Sequence, residues 1–238
     1  MNRRTFIQTA VVSAASAAFA SGAPFDQLQS ERRRAGWIIP TNKPDRFGLK
    51  VMAFNPIPAP DPTTWSLTIE GLAREPLHLS AADVERLPRV SQSSRLKCVQ
   101  CWSARVNWGG FRFGHLLEVA KPSKSAKAVR IDCADKWYEY FSIQDLLSNR
   151  VLMALDLAGK PLPDKHGAPL RLIDPSRYGY KSAKLITSIT FVEEANGSMA
   201  CDIGPYYSPT GEILAGYDTP LDLGGPKRKI SGGEITGY

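Results

Sequence analysis

Arg95-Leu96-Lys97-Cys98-Val99-Gln100-Cys101-Trp102-Ser103 holds two of the chain's four cysteines. A run with strand character over 90–96 leads into it, and Gly109-Gly110 follows, a pair that reads as a turn. Cys98 therefore falls where a strand gives way to a loop. A thiol so placed is held rigidly and is still reachable, as a metal ligand or a nucleophile must be.

Outward from this stretch the chain reads as short strands mixed with short helices. Trp65, Leu67 and Ile69 alternate with polar residues, a strand with one buried face that ends at Gly71. Ser80 and Asp83 form a capping box for a short helix that stops before Pro88. The pattern predicts a helix over 113–120, a strand over 128–133, another over 137–141, and a helix over 143–147 capped by Ser142. Residues 151–157, 170–173 and 184–192 read as further strands. Pro44, Pro56, Pro58, Pro60 and Pro62 exclude regular helix and central strand from 42–62. After Glu194 the periodicity dissolves. Without regular βαβ alternation, the expected class is α+β, with mixed sheets and short helices in a single domain.

The N-terminus carries a targeting pattern. Asn2-Arg3-Arg4-Thr5-Phe6-Ile7 sets twin arginines before an apolar stretch over 6–20, and Ala18-Phe19-Ala20 supplies a small-x-small cleavage site. This predicts a twin-arginine signal peptide over 1–20, with a general secretory signal or an uncleaved anchor as alternatives. Such signals serve proteins exported already folded, often with a cofactor inside. Hydrophobic content of 43% with 22% charged residues is that of a soluble globular protein. Without residues 1–20, 28 basic residues face 23 acidic ones. That balance is mild, and no basic run is interleaved with aromatics, so no nucleic-acid partner is expected.

The cysteines admit three chemistries. Cys98 and Cys101 have C-x-x-C spacing, but no helical pattern follows to lower a thiol pKa, and an exported protein could instead pair its cysteines as structural disulfides. Cys98, Cys101, His115 and Cys133 could together ligate zinc, although their spacing matches no compact knuckle. The third chemistry is a soft thiolate on a metal already carrying sulfur, which needs one cysteine and cations to hold an anionic carrier. The second half of the chain supplies these in His166-Gly167-Ala168-Pro169-Leu170-Arg171 and Tyr178-Gly179-Tyr180-Lys181-Ser182-Ala183-Lys184. Gly167 permits close backbone approach, Arg171 offers a planar fork and Lys184 a point charge. Taken singly, Arg171 and Lys184 read as surface cations. Trp102, Trp108 and Tyr178 read first as core, and second as walls of a substrate funnel.

Three blocks in order resemble the sulfite oxidase superfamily of molybdopterin-dependent oxidoreductases: Arg95-Leu96-Lys97-Cys98-Val99-x-x-Trp102-Ser103, Asp164-x-His166-Gly167-Ala168-Pro169-Leu170-Arg171-Leu172, and Tyr178 to Lys184 as quoted above. The branch most similar is that of periplasmic protein-methionine-sulfoxide reductase catalytic subunits. The resemblance implies a sulfite-oxidase-type fold, with Cys98 as the thiolate on molybdenum beside the two dithiolene sulfurs of one pterin. Arg171 and His166 would hold the pterin, and Ser182, Ala183 and Lys184 would cradle it. Asn55, Pro58 and Ala59 fall where that branch begins its cofactor contacts, and Cys133 where it places a threonine. Gln100 stands where the branch has an acid, and His166 where it has asparagine, as in true sulfite oxidases.

The organisation implied is an irregular segment over 21–50, a molybdopterin-binding catalytic domain over 51–195, and an irregular C-terminal extension over 196–238 packed on it. The implied function is periplasmic oxygen-atom transfer on a small sulfur- or nitrogen-oxo substrate, a protein methionine sulfoxide included. The chain has no Cys-rich cluster and no C-x-x-C-H motif, so electrons are expected to pass to or from a haem partner, a membrane b-type or soluble c-type cytochrome. The alternatives are sulfite dehydrogenase-like oxidation, a non-catalytic pterin-binding protein, and a zinc- or disulfide-stabilised binding protein.

Overall fold

The computed structural model describes residues 37–38, 41–55, 57–58, 61, 63–99, 102–204, 207–213, 217–218 and 228–229. The predicted signal over 1–20 and the positions Ala59, Gln100 and Cys101 lie outside the described residues. In chain order the first elements are β1 (Trp37–Ile38), β2 (Ile57–Pro58), β3 (Ser66–Gly71), β4 (Leu77–Ser80), α1 (Ala81–Glu85), β5 (Val90–Lys97), β6 (Ser103–Phe111), α2 (Gly114–Ala120), β7 (Ala128–Cys133) and β8 (Tyr138–Ser142). There follow α3 (Ile143–Leu146), β9 (Leu152–Leu157), β10 (Lys160–Pro161), a 3-10 turn (Asp164–His166), β11 (Arg171–Ile173), a second 3-10 turn (Gly179–Lys181), β12 (Ile186–Val192), α4 (Met199–Ile203), β13 (Tyr217–Asp218) and β14 (Arg228–Lys229). Among the described residues no helix is long and apolar enough to cross a membrane.

Two five-stranded sheets carry the fold. One runs β4-β3-β12-β7-β8, with β3 and β12 parallel and the other pairs antiparallel. The other runs β10-β9-β6-β5, with β11 added on β9. The expected mixed α+β architecture is therefore present. The main core joins Leu67, Ile69, Val129, Ile131, Phe141 and Ile189 of the first sheet to Val84 of α1, Leu116 of α2 and Leu146 of α3. Phe111, Met153 and Leu172 of the second sheet complete it. The Ser80–Asp83 capping box is formed, and Ser142 caps α3 through the Asp145 backbone N–H.

The second sheet is buried on both faces. Leu152 and Ala154 face a second core containing Leu96, Val106, Trp108 and Ile173, whereas Met153 faces the main core. Leu157 then returns to the second core, although simple alternation would send it to the other face. The pairing with β6 explains this: Gly109 pairs with Asp156 and Gly110 with Ala154, so Leu155 of β9 is passed over as a bulge. Gly109 and Gly110 are thus not the predicted turn. They lie inside β6, where a Cβ on Gly109 would land on the Asp156 carboxylate and one on Gly110 on the Met153 carbonyl. The two glycines let β6 and β9 close up at the bulge, and β6 continues through them as a nine-residue strand. The predicted irregularity after residue 195 is also only partial, since α4 and the β13–β14 pair lie there.

Candidate active site

The β5–β6 hairpin decides where Cys98 sits. Its last pair is Lys97 with Ser103, and the Cys98 N–H donates to the Trp102 carbonyl at 2.9 Å, so the thiol stands at the first position past the ladder. A parallel bridge from Lys97 to Tyr178 brings in the second 3-10 turn. Gly179 packs so close to the Lys97 carbonyl that a Cβ there would approach it to 3.2 Å. Past that turn the chain runs beside β11: the Leu172 N–H donates to Ala183 O at 2.8 Å, and Arg171 bridges to Lys184. The first 3-10 turn ends at Gly167, where φ of +102° and the Lys184 stem, 2.8 Å from a would-be Cβ, both require glycine. The close backbone approach that Gly167 permits is made by the Lys184 side chain.

These elements enclose a cavity of about 250 Å³. Cys98, His166, Arg171, Ser182, Ala183 and Lys184 all line it. Asn55 and Pro58 do not, although Met52, Ala53 and Phe54 beside them do; the Asn55 amide lies against the Met199 sulfur at 4.0 Å. Cys133 does not line it either and is packed in the main core, where burial pushes its thiol well above the usual range. His115 lies away on α2, facing Glu118 at 3.3 Å. Among the described residues no three His, Cys, Asp or Glu side chains converge as a metal site, and Cys98, Cys133 and Cys201 are thiols rather than half-cystines.

The electrostatics are those of a site built for an anion. Arg171 and Lys184 are not surface cations: Arg171 is 3% exposed, and Lys184 is half-buried. Arg171 lies over the Trp108 ring at 5.1 Å and donates from Nη1 to the His166 carbonyl at 2.8 Å. Lys184 Nζ donates to the Met52 carbonyl. Neither has a carboxylate within ion-pair distance among the described residues. Burial pulls Arg171 down to about 9. Burial, with Arg171 beside it, pulls Lys184 down to about 8, against the opposing pull of Asp135, Cys133 and Cys98. Three buried polar atoms on lining residues, Arg171 Nε, Ser182 Oγ and Trp102 Nε1, have no hydrogen-bond partner among the described residues. Buried cations without anions and orphaned polar atoms are costly unless a ligand completes them. An anionic, hydrogen-bonding group fits this donor set.

Other contacts fix the walls. His166 is buried with Nε2 2.7 Å from Asp45 Oδ2. Burial pulls the imidazole down, so near neutral pH it is uncharged. Burial raises Asp45, but the His166 hydrogen bond and the Phe47 and Leu49 N–H groups outweigh it and keep it a carboxylate. Nε2 therefore carries the proton and Nδ1 is left as an acceptor. Beneath the second turn Lys181 pairs with Glu139, both wholly buried, while Ser198 Oγ donates to Glu139 at 2.8 Å. Asp45, Asp135 and Tyr207, which also help frame the site, were missed from the sequence. Asp45 and Tyr207 lie outside the three blocks, and Asp135 lies in a turn with no motif of its own.

Known proteins resemble this chain over most of the part that builds the cavity. Residues 54–200 match the family model described as "oxidoreductase molybdopterin binding domain". The protein-methionine-sulfoxide reductase catalytic subunit MsrP of Campylobacter jejuni is 33% identical over 147 residues, covering 55% of this chain and 50% of that protein. MsrP of Ralstonia nicotianae is 32% identical over 149 residues, covering 56% and 45%. The uncharacterized oxidoreductase YuiH of Bacillus subtilis is 35% identical over 135 residues, covering 56% and 68%. The chain thus spans about half the length of the two reductases. The fold is shared with the sulfane dehydrogenase SoxCD from Paracoccus pantotrophus, at a TM-score of 0.55 and 21% identity over 58% of this chain and 41% of that one. The chain belongs to the oxidoreductase molybdopterin-binding domain family, within the sulfite oxidase superfamily. That family's description names an oxidoreductase domain that binds molybdopterin, the cofactor the sequence resemblance implies.

Proposed function

We propose that the cavity beside Cys98 holds the molybdopterin, with Cys98 as the protein's ligand to molybdenum. Arg171 and Lys184 would neutralise the anionic end of the cofactor, and Ser182 and His166 would be its hydrogen-bonding neighbours. The observation that carries this reading is the pair of cations, without a carboxylate in ion-pair distance among the described residues, in the same cavity as the thiol. When bound, the cofactor supplies two-electron oxygen-atom transfer. The chain's own share is to hold it, exclude water and shape access. Phe54, Trp102, Trp137, Tyr180 and Tyr207 make the approach to Cys98 aromatic, which suits a neutral thioether or sulfoxide carried on an apolar body better than a small hydrated anion.

The reaction proposed is oxygen-atom transfer on a sulfur-oxo substrate, protein methionine sulfoxide being the example that the two reductases supply. Electrons come singly from a haem protein. The twin arginines at Arg3 and Arg4 support export of the folded protein to the periplasm. Metal analysis of protein made in its native host, followed by a sulfoxide and sulfite screen with dye donors and acceptors, tests the reading. It predicts near-stoichiometric molybdenum and sulfoxide turnover. Molybdenum with no turnover supports a carrier instead, and zinc or no metal ends the proposal.

A further inference from the structure

Asp135 stands out once the cavity is surveyed for groups that the cofactor cradle does not use. It lies in the turn after β7, is 6% exposed, and is the one carboxyl among the described residues that line the cavity. Position 100, two residues past Cys98, brings a glutamine. The Asp135 Oδ1 accepts the Trp137 N–H at 3.1 Å, and no side chain among the described residues hydrogen-bonds to it. The charged and titratable groups around it come from every wall. Lys184 and Arg171 lie on the β11 side, Cys133 on β7, Cys98 past β5, and Lys50 on the N-terminal segment. His166, Lys165, Tyr180 and Tyr207 complete the rim.

From this placement we infer that Asp135 is the carboxyl that exchanges a proton with the transferred oxygen, an inference that rests on the cofactor reading above. Reduction of a sulfoxide breaks one S–O bond, consumes two electrons and two protons, and releases a thioether and water. The electrons come from the haem donor, one at a time. Asp135 gives one of the protons and is recharged from solvent, and in the oxidative direction the same carboxylate accepts it. Burial favours the neutral acid, against the Trp137 N–H and the charge on Lys184, and raises the carboxyl. An anion bound at Lys184 offsets that charge and pushes the same way. The group is thereby moved toward working pH, where a proton donor is most effective.

Asp135→Asn keeps an acceptor for the Trp137 N–H but cannot titrate. In enzyme loaded in its native host, the reduced-minus-oxidised infrared spectrum should contain a carboxyl band that shifts in D₂O and vanishes in Asp135→Asn. Molybdenum content should be unchanged, turnover should fall about 10²–10⁴-fold with loss of one limb of the pH profile, and Asp135→Glu should restore both in part. An Asp135→Asn enzyme with the same infrared band and the same pH profile overturns the inference. So does one that loses its molybdenum, which would assign the carboxyl to holding Lys184. Wild-type enzyme without molybdenum instead overturns the cofactor reading, and this inference with it.

Discussion

Lys184→Met in cofactor-free protein isolates the energetic cost of an anion site without its anion. The ammonium is driven from 10.5 to about 8 in the fold, chiefly by burial. At about 1.4 kcal/mol per pH unit, keeping it charged costs on the order of 3 kcal/mol. The direction follows from proton counts. Between about pH 8 and 10.5 the unfolded chain holds the proton and the folded one has released it, so stability rises with pH through that window. Below about 8 both states are charged and the folded state bears the whole cost. Losing the donor to the Met52 carbonyl subtracts about 1 kcal/mol from the variant, an offset that leaves the slope unchanged. Urea denaturation of both proteins, made in a host unable to synthesise the pterin, gives the difference at each pH. The stability advantage of Lys184→Met should be largest near pH 7 and should shrink by on the order of 3 kcal/mol by pH 10.5. Loaded protein should reverse the sign, because the variant then loses an ionic contact to the cofactor. A difference that does not change with pH would refute the claim that this ammonium loses solvation in the fold.

Two further outcomes follow from the frame around the cavity. Glu139→Gln leaves the wholly buried Lys181 without its counter-charge, and should cost about 3–5 kcal/mol in chemical denaturation, whereas replacing both partners with apolar residues of similar volume should cost much less. Gly110→Ala drives a methyl into the Met153 carbonyl at the β6–β9 bulge. It should lower stability by about 1–3 kcal/mol or more, with weakened amide protection over β9 in hydrogen exchange.

Local chemistry was readable from the sequence wherever one face of an element is buried. β3 and β7 show plain alternation, and Ser80 and Ser142 cap as their spacing predicts. β6 was missed because Gly109-Gly110 carries turn chemistry in isolation; only its partner strand shows that the glycines serve close approach. The two-sided burial of β9 likewise erases its alternation and hides the bulge at Leu155. Single charges mislead for a related reason. Arg171 and Lys184 look like surface residues one at a time, and only the crossing of β11 with the chain before β12 brings them together at one cavity. The motif blocks brought six of the predicted site residues to one cavity. Asp45 reaches His166, and Asp135 the cavity itself, through long-range packing that no local spacing records.

X-ray absorption at the molybdenum edge, comparing wild-type protein with Cys98→Ser, bears most directly on the role given to Cys98. One sulfur neighbour should be lost from the metal's coordination shell in the variant, replaced by a lighter atom or accompanied by release of the metal. An unchanged sulfur count at full molybdenum occupancy would contradict the assignment of Cys98 as the ligand.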